Sequence, residues 1–160
     1  MTDTLDHRLR EALANGDDAA RFSAALSVIQ TVLGAHMGTI HRLDPDQHLH
    51  LMAATPGMPE PVLAASRRIP LGKGIAGETA STATPVSLCN LQTDTSGVAR
   101  PGAKATGLGG SLCVPIFAGT RVVGTLGVGW IGERVVTDEE TATMLAAGRV
   151  LATALSGGRR

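Results

Sequence analysis

The sequence predicts an α+β domain, in which helices from both ends of the chain pack on one face of an antiparallel sheet of about five or six strands. Helical patterns stand near both ends of the 160 residues, and short strand-like runs separated by turn residues lie between them. One of these runs, Gly110 to Phe117, has few polar residues on either face. Such a run indicates a sheet that is covered on both sides.

Capping and breaking residues set the predicted helix bounds. The first predicted helix runs from Leu5 to Leu13 and ends before the breaker pair Asn15-Gly16. The second begins at an Asp17 or Asp18 cap and stops at Gly34. The last begins at a Thr137 or Asp138 cap and ends at Leu155. We therefore divide the chain into an N-terminal helical extension (1–16), the main domain (17–156) and a disordered tail (157–160).

The middle of the chain alternates strands, turns and loops. HMGTIHRLD and HLHLMAAT, joined by Asp44-Pro45-Asp46, predict an antiparallel hairpin. A loop with one short helix follows, then a short extended piece, a glycine-rich turn, a helix that begins near Ile75 and a strand from Val86 to Asn90. A long polar loop comes next, and the hairpin from Gly110 to Trp130 closes the sheet.

The last strand of that hairpin contains three glycines, Gly124, Gly127 and Gly129. Glycine normally weakens a strand interior, and it often marks the close approach of a ligand or of another backbone. The strand therefore predicts either a compact pocket or a tightly packed covering segment.

Composition excludes several classes of function. Lys and Arg total 14, as do Asp and Glu, so no basic excess is present to bind nucleic acid or an anionic membrane. The N-terminus has no apolar signal segment and no run is long enough to span a bilayer, which predicts a cytoplasmic protein. Aromatic residues make up 2% of the chain, too few to provide stacking platforms for bases or flavins.

Three motifs in order resemble the GAF domain family of small-molecule sensor modules. IPLGKGIAGETASTATPV is similar to the family's glycine turn, helix and strand, SLCVPI to its S-x-x-x-P-[IL] strand, and RVVGTLGVGW with TDEETATMLAAGRVLATAL to its last strand and closing helix. The resemblance implies a PAS-like sheet with a ligand pocket on the face opposite the terminal helices. It also implies a free-standing bacterial regulator that forms a homodimer through those helices. GAF domains bind many ligands or none, so the fold does not identify one.

Departures from family patterns argue against particular activities. The aromatic pocket of bilin-binding members is missing, and WIGERVVTDEE keeps only the acidic end of the cyclic-nucleotide motif. Free methionine-R-sulfoxide reductases resemble the chain in GKGIAG, but Ala76 stands where their motif has a cysteine. Gly127 and Gly129 stand at their substrate-holding carboxylates, and Ser111 at their pocket glutamate.

The ligand site is predicted mainly from this resemblance. Backbone N–H groups at the helix start near Ile75 could bind a carboxylate or oxoanion, with Lys73 adding charge and Arg100 in the long loop pairing with an anion. We prefer this reading to a dinucleotide fingerprint, because the required strand-helix-strand unit is missing. The candidate ligand-binding residues are Leu71, Ile75, Ala76, Leu88, Asn90, Arg100, Ser111, Cys113, Thr125, Gly127 and Gly129.

The two cysteines and the clustered histidines allow further readings. Cys89 and Cys113 lie in apolar strand contexts and are either buried thiols or a redox pair that neighbouring strands bring close. His36, His41, His48 and His50 cluster around the first hairpin, an arrangement that would allow a metal site. Exposed hairpin histidines usually bind nothing, so neither a metal nor another cofactor is predicted.

The sequence therefore predicts a sensor that binds a small, non-aromatic and possibly anionic ligand and signals through a partner protein or a dimer. We assign no catalytic residue, and an enzyme is the less favoured reading. Two alternatives remain: a thiol-based redox sensor or enzyme related to the sulfoxide reductases, and a ligand-free interaction scaffold.

Overall fold

The computed structural model describes residues 2–94, 96 and 107–157 and confirms the predicted α+β architecture. In chain order the elements are α1 (Thr2–Leu13), α2 (Asp18–Leu33), β1 (Met37–Leu43), β2 (His48–Ala54), α3 (Glu60–Ser66), β3 (Arg68–Pro70), α4 (Gly74–Thr82), β4 (Val86–Leu88), β5 (Ser111–Ala118), β6 (Arg121–Gly129) and α5 (Asp138–Gly157). The six strands form one sheet in the order β3-β2-β1-β6-β5-β4, and every neighbouring pair is antiparallel.

The helix caps follow from short polar side chains. Asp17 caps α2 by accepting a hydrogen bond from the Ala20 N–H at 2.9 Å, and Gly34 ends the helix with a left-handed backbone. Thr137 and Glu140 form a reciprocal capping box at the start of α5, each accepting the other's N–H at 3.0 Å. The sequence prediction left two candidates for each N-cap, and the structure selects Asp17 and Thr137.

One face of the sheet packs against α2 and α5 over the main hydrophobic core. Alternate residues of the central strands, Val114 and Ile116 on β5 and Leu126 on β6, are fully buried there. The predicted N-terminal extension also belongs to this core. Leu5 and Leu9 of α1 are buried against α2 and α5, because a helix with an apolar stripe must cover it.

The opposite face of the sheet is covered by α3 and α4, which confirms the prediction from β5 that both faces are buried.

Two predicted bounds of secondary-structure elements need correction. The fourth strand ends at Leu88 rather than Asn90, because the Asn90 side chain accepts the Gln92 N–H at 3.0 Å and starts a turn. Helix α5 extends through Gly157, which the sequence prediction places in the tail, and residues 158–160 lie outside the described residues. Within the described ranges, no helix combines the length and hydropathy needed to cross a membrane.

Candidate functional site

A cavity of about 430 Å³ lies between the sheet and the covering helices α3 and α4. Strands β1, β5 and β6 form its floor, and α3, the turn before α4 and the first turn of α4 form its cover. Its described lining residues are Met37, Gly38, Thr39, His41, Met58, Val62, Ala65, Ser66, Ile69, Lys73, Gly74, Ile75, Ala76, Leu91, Leu108, Ser111, Leu112, Cys113, Gly127, Val128 and Gly129. A cavity of this size matches a small-molecule site.

The floor combines a cross-strand row with small side chains. Thr39 of β1, Gly127 of β6 and Cys113 of β5 stand opposite one another across the sheet. A Cβ at Gly127 would meet only ordinary contacts, the nearest being the Thr39 hydroxyl at 3.5 Å and the Cys113 sulfur at 3.7 Å. The lack of a side chain at this position therefore deepens the centre of the cavity.

At the other two glycines of β6, close packing excludes a side chain. A Cβ at Gly129 would run into the side chain of Leu108, which covers the end of the strand. A Cβ at Gly124 would overlap the backbone carbonyl of His41 and press on Leu155 of α5. Both alternatives of the sequence prediction are therefore found in this strand: Gly127 lines the cavity with room for a Cβ, while Gly129 and Gly124 permit close packing.

The cover contributes free backbone donors. Gly72 and Gly74 have positive φ angles of 81° and 67°, which let the chain turn sharply into α4. The cap residue Lys73 makes no side-chain capping bond, and the N–H groups of Gly74, Ile75 and Ala76 have no hydrogen-bond partner among the described residues. Because these residues line the cavity, the positive end of the helix dipole and the exposed ammonium of Lys73 border it.

Two buried polar side chains on the floor have a polar atom without a partner among the described residues. Ser111 is 7% exposed and its hydroxyl oxygen is unpaired. His41 is 2% exposed, with its Nε2 2.8 Å from the carbonyl oxygen of Ser66 and its Nδ1 unpaired. Burial lowers the pKa of His41 to about 4, against a smaller increase from the Ser66 carbonyl, so the ring is neutral near pH 7.

The two thiols lie in different environments and are not close. Cys113 is buried, and burial raises the pKa of its thiol to about 11, against a smaller lowering by the hydroxyls of Thr79 and Thr125. Cys89 is exposed beyond the end of β4. Cys113 pairs with Val86, three residues before Cys89, an offset of roughly 10 Å along the strand. The predicted approach of the two thiols is therefore wrong, since a disulfide needs Cα atoms within about 7 Å.

The predicted ligand residues divide into three groups. Those that line the cavity are Ile75, Ala76, Ser111, Cys113, Gly127 and Gly129. Those that lie outside its lining are Leu71, Leu88, Asn90 and Thr125. Leu71 follows the edge strand β3, Leu88 and Asn90 lie at the end of β4, and Thr125 is buried beside Cys113. Arg100 lies outside the described residues.

Sequence reasoning missed most of the first strand and the third helix. Met37, Thr39 and His41 alternate on β1 toward the cavity, whereas the sequence prediction treated His41 as one of several exposed hairpin histidines. The period-2 pattern contained this signal, because Ile40 between them belongs to the helix-covered core. Among the described residues, no group of three or more His, Cys, Asp or Glu side chains is placed to hold a metal ion.

The chain belongs to the GAF domain family, whose model matches residues 19–156. Similar solved structures include the GAF domain of an Acinetobacter phosphoenolpyruvate-protein phosphotransferase, with 19% identity, 98% of this chain and 92% of that chain covered, and a TM-score of 0.79. A free methionine-R-sulfoxide reductase from Neisseria meningitidis, in complex with its substrate, has 16% identity, coverages of 99% and 90%, and a TM-score of 0.77. The nlh2 GAF domain from A. aeolicus in an inactive state has 15% identity, coverages of 99% and 97%, and a TM-score of 0.74. Among curated proteins none matches the chain. At these identities the structural likeness establishes the fold alone.

Proposed function

We propose that this protein is a small-molecule sensor that binds a small, anionic, non-aromatic ligand in the cavity between the sheet and α4. The observation that carries the proposal is the combination of free N–H groups at the start of α4 with the buried, unpaired hydroxyl of Ser111 in the same cavity. An unpaired buried polar group is costly, and a polar ligand would supply the missing partner.

The charge around the cavity supports an anion. Lys73 lies at the cap of α4, and no Asp or Glu is among the described lining residues. The N–H groups of α4 point the positive end of the helix toward the same space, where a carboxylate or oxoanion is stabilised. No Phe, Tyr or Trp lines the described cavity, so an aromatic ligand would find no stacking partner there.

In this proposal, ligand binding changes the contact of the domain with another protein or with a second copy of the chain. The exposed surfaces of α2 and α5, flanked by α1, form the candidate surface for a second copy or a separate signalling protein. A bound ligand can bias such a contact only by binding two states of the domain with different affinity.

Thiol-based reductase chemistry is the second reading, and the thiol environments favour sensing over it. Burial stabilises the uncharged form of Cys113, whereas thiol chemistry requires the thiolate. The exposed Cys89 lies too far from Cys113 for the two thiols to form a disulfide. An assay of free methionine sulfoxide reduction with a thiol donor separates this reading from the sensor proposal.

Native mass spectrometry of the purified protein tests the proposal, first as isolated and then after addition of a panel of small mono- and dicarboxylates. We expect a retained or added mass in the wild-type protein and its loss in Gly127→Val, whose side chain would project into the cavity. Ser87→Val on the exposed surface of β4 is the matched control and should retain binding. A wild-type protein that is empty and binds no carboxylate, or equal binding by Gly127→Val, would contradict the proposal. The same spectra report whether the protein is a dimer.

A further inference from the structure

The cavity has an apolar wall that is separate from the main hydrophobic core. Val62, Leu91 and Leu108 are buried and line the cavity, yet none of them belongs to the core between the sheet and the terminal helices. Val62 lies on α3, and the two leucines lie before β5, on the side of the sheet that faces the cavity. These side chains therefore form a second apolar layer on the covered face of the sheet.

Part of this layer is not fully covered by protein. Three further large apolar side chains line the cavity, are only half-buried and lie outside the main core: Met37, Met58 and Ile69. We call these three residues, together with Val62, Leu91 and Leu108, the apolar wall. A ligand in the cavity would remove apolar surface of this wall from water, which favours a ligand with hydrocarbon of its own.

The polar groups of α3 form hydrogen bonds within the protein. The hydroxyl of Ser66 donates to the carbonyl of Val62 at 2.8 Å, and the carbonyl of Ser66 lies 2.8 Å from Nε2 of His41. The helix therefore presents mainly the side chains of Val62 and Ala65 to the cavity. Burying the polar groups of a ligand against such a surface without hydrogen bonds would cost free energy.

The positive charge at the cavity matches one carboxylate. Lys73 is the one charged side chain among the described lining residues, and it precedes the free N–H groups at the start of α4. A second carboxylate on the ligand would find no further cationic side chain in the described lining. A charge buried without a partner is costly, so the lining favours a monoanion over a polyanion.

The positive end and part of the apolar wall lie at different levels of the sheet. Met37 pairs with Gly129, where the side chain of Leu108 covers the strand end. The N–H of Lys73 donates to the carbonyl of Pro70, which pairs with His48 at the turn end of the β1–β2 hairpin. Met37 begins β1 at the other end of this hairpin. An elongated ligand fits this arrangement better than a compact one.

We infer that the ligand is an elongated aliphatic monocarboxylate, with its carboxylate at the start of α4 and its hydrocarbon chain against the apolar wall. The inference rests on the proposed sensor function and names its ligand class. It predicts weak binding of dicarboxylates, whose second charge would lie against the wall, and of neutral alcohols, which lack the anion.

Isothermal titration calorimetry of the full chain with a chain-length series tests the inference. The probes are butanoate, hexanoate and octanoate below their micelle concentrations, with octanedioate and octan-1-ol for comparison. We expect one ligand per chain, a gain in affinity of roughly 2- to 4-fold for each added methylene, and a heat-capacity change that becomes more negative with chain length. Octanedioate and octan-1-ol should bind roughly 10-fold more weakly than octanoate.

The wild-type series can overturn the inference without any variant. An affinity that does not rise with chain length would contradict contact with the apolar wall. Equal binding of octanedioate or octan-1-ol would contradict the single carboxylate, and several octanoate molecules per chain would show adsorption to the surface. Binding of small carboxylates without dependence on chain length defeats this inference alone, whereas a protein that binds no carboxylate defeats the sensor proposal as well.

Variants locate the chain preference at the apolar wall. Met58→Gln, which places an amide in the wall at similar length, should reduce the ratio of octanoate to butanoate affinity by roughly 3- to 10-fold. Ile131→Gln is the matched control, because Ile131 is 71% exposed and outside the described lining, and it should leave the ratio unchanged. Lys73→Gln should weaken both acids alike. An undiminished ratio in Met58→Gln, or an equal reduction in Ile131→Gln, would overturn the inference.

Discussion

The buried imidazole of His41 should make the protein lose stability as the pH falls from about 6.5 to about 4. The pKa of this ring is about 4 in the folded protein, against 6.5 for an ordinary histidine, because burial disfavours the charged form. Above pH 6.5 neither state binds the proton. As the pH falls, the unfolded chain takes up a proton that the folded state refuses, so the free energy of unfolding decreases until the pH reaches the folded pKa.

The size of the effect follows from the pKa difference. A depression from 6.5 to about 4, at roughly 1.4 kcal/mol per pH unit, corresponds to a loss of about 3 kcal/mol over this interval. The free energy of unfolding of a single domain is typically about 5–15 kcal/mol, so this loss is a large share of it. Removing the titrating ring in His41→Gln should remove this part of the pH dependence while retaining a donor for the Ser66 carbonyl.

Urea unfolding, followed by the fluorescence of the buried Trp130, measures this prediction at a series of pH values. The difference in unfolding free energy between the wild type and His41→Gln should change by about 3 kcal/mol across the interval, whereas His7→Gln should follow the wild type. The pKa values of Asp46 and Glu140 are also lowered, but both carboxylates are present in all three proteins and cancel in the difference. Parallel pH profiles for wild type and His41→Gln would refute the reasoning.

Three further predictions concern packing and thiol exposure. Leu9→Ala should lower the unfolding free energy by about 2–5 kcal/mol, because this fully buried side chain joins α1 to the core; a loss no larger than that of a surface variant would contradict this role. Gly124→Ala should cost about 1–3 kcal/mol through overlap with the β1 backbone, whereas Gly127→Ala should remain within about 0.5 kcal/mol of wild type; chemical denaturation measures both, and equal losses would refute the assigned difference. Ellman's reagent should modify Cys89 quickly in the native protein and Cys113 only after unfolding; two fast thiols would show that Cys113 is accessible.

The amino-acid sequence alone determined the architecture of this protein. Hydrophobic periodicity distinguishes α2 and α5 from the strands, and an Asp17 or Asp18 cap with a stop at Gly34 predicts the ends of α2. The run of apolar residues in β5 showed that both sheet faces are covered. These signals are local, because the hydrophobic period and the capping residues of a helix or strand lie within a few residues of one another. Three motifs in the right order then indicated the GAF fold.

Only the tertiary structure decided which residues share the cavity. Cys89 and Cys113 lie on adjacent segments, yet the register of β4 with β5 separates them. The sequence predicts an exposed hairpin residue at His41, whereas in the structure the ring is buried and its Nε2 donates to the carbonyl of Ser66 in α3. Cavity lining depends on strand register and on which element covers which face, and both are set by contacts between residues far apart in the chain. The glycines of β6 show the same limit. Their spacing predicts a close approach, but the folded chain decides that a Cβ fits at Gly127 and not at Gly124 or Gly129.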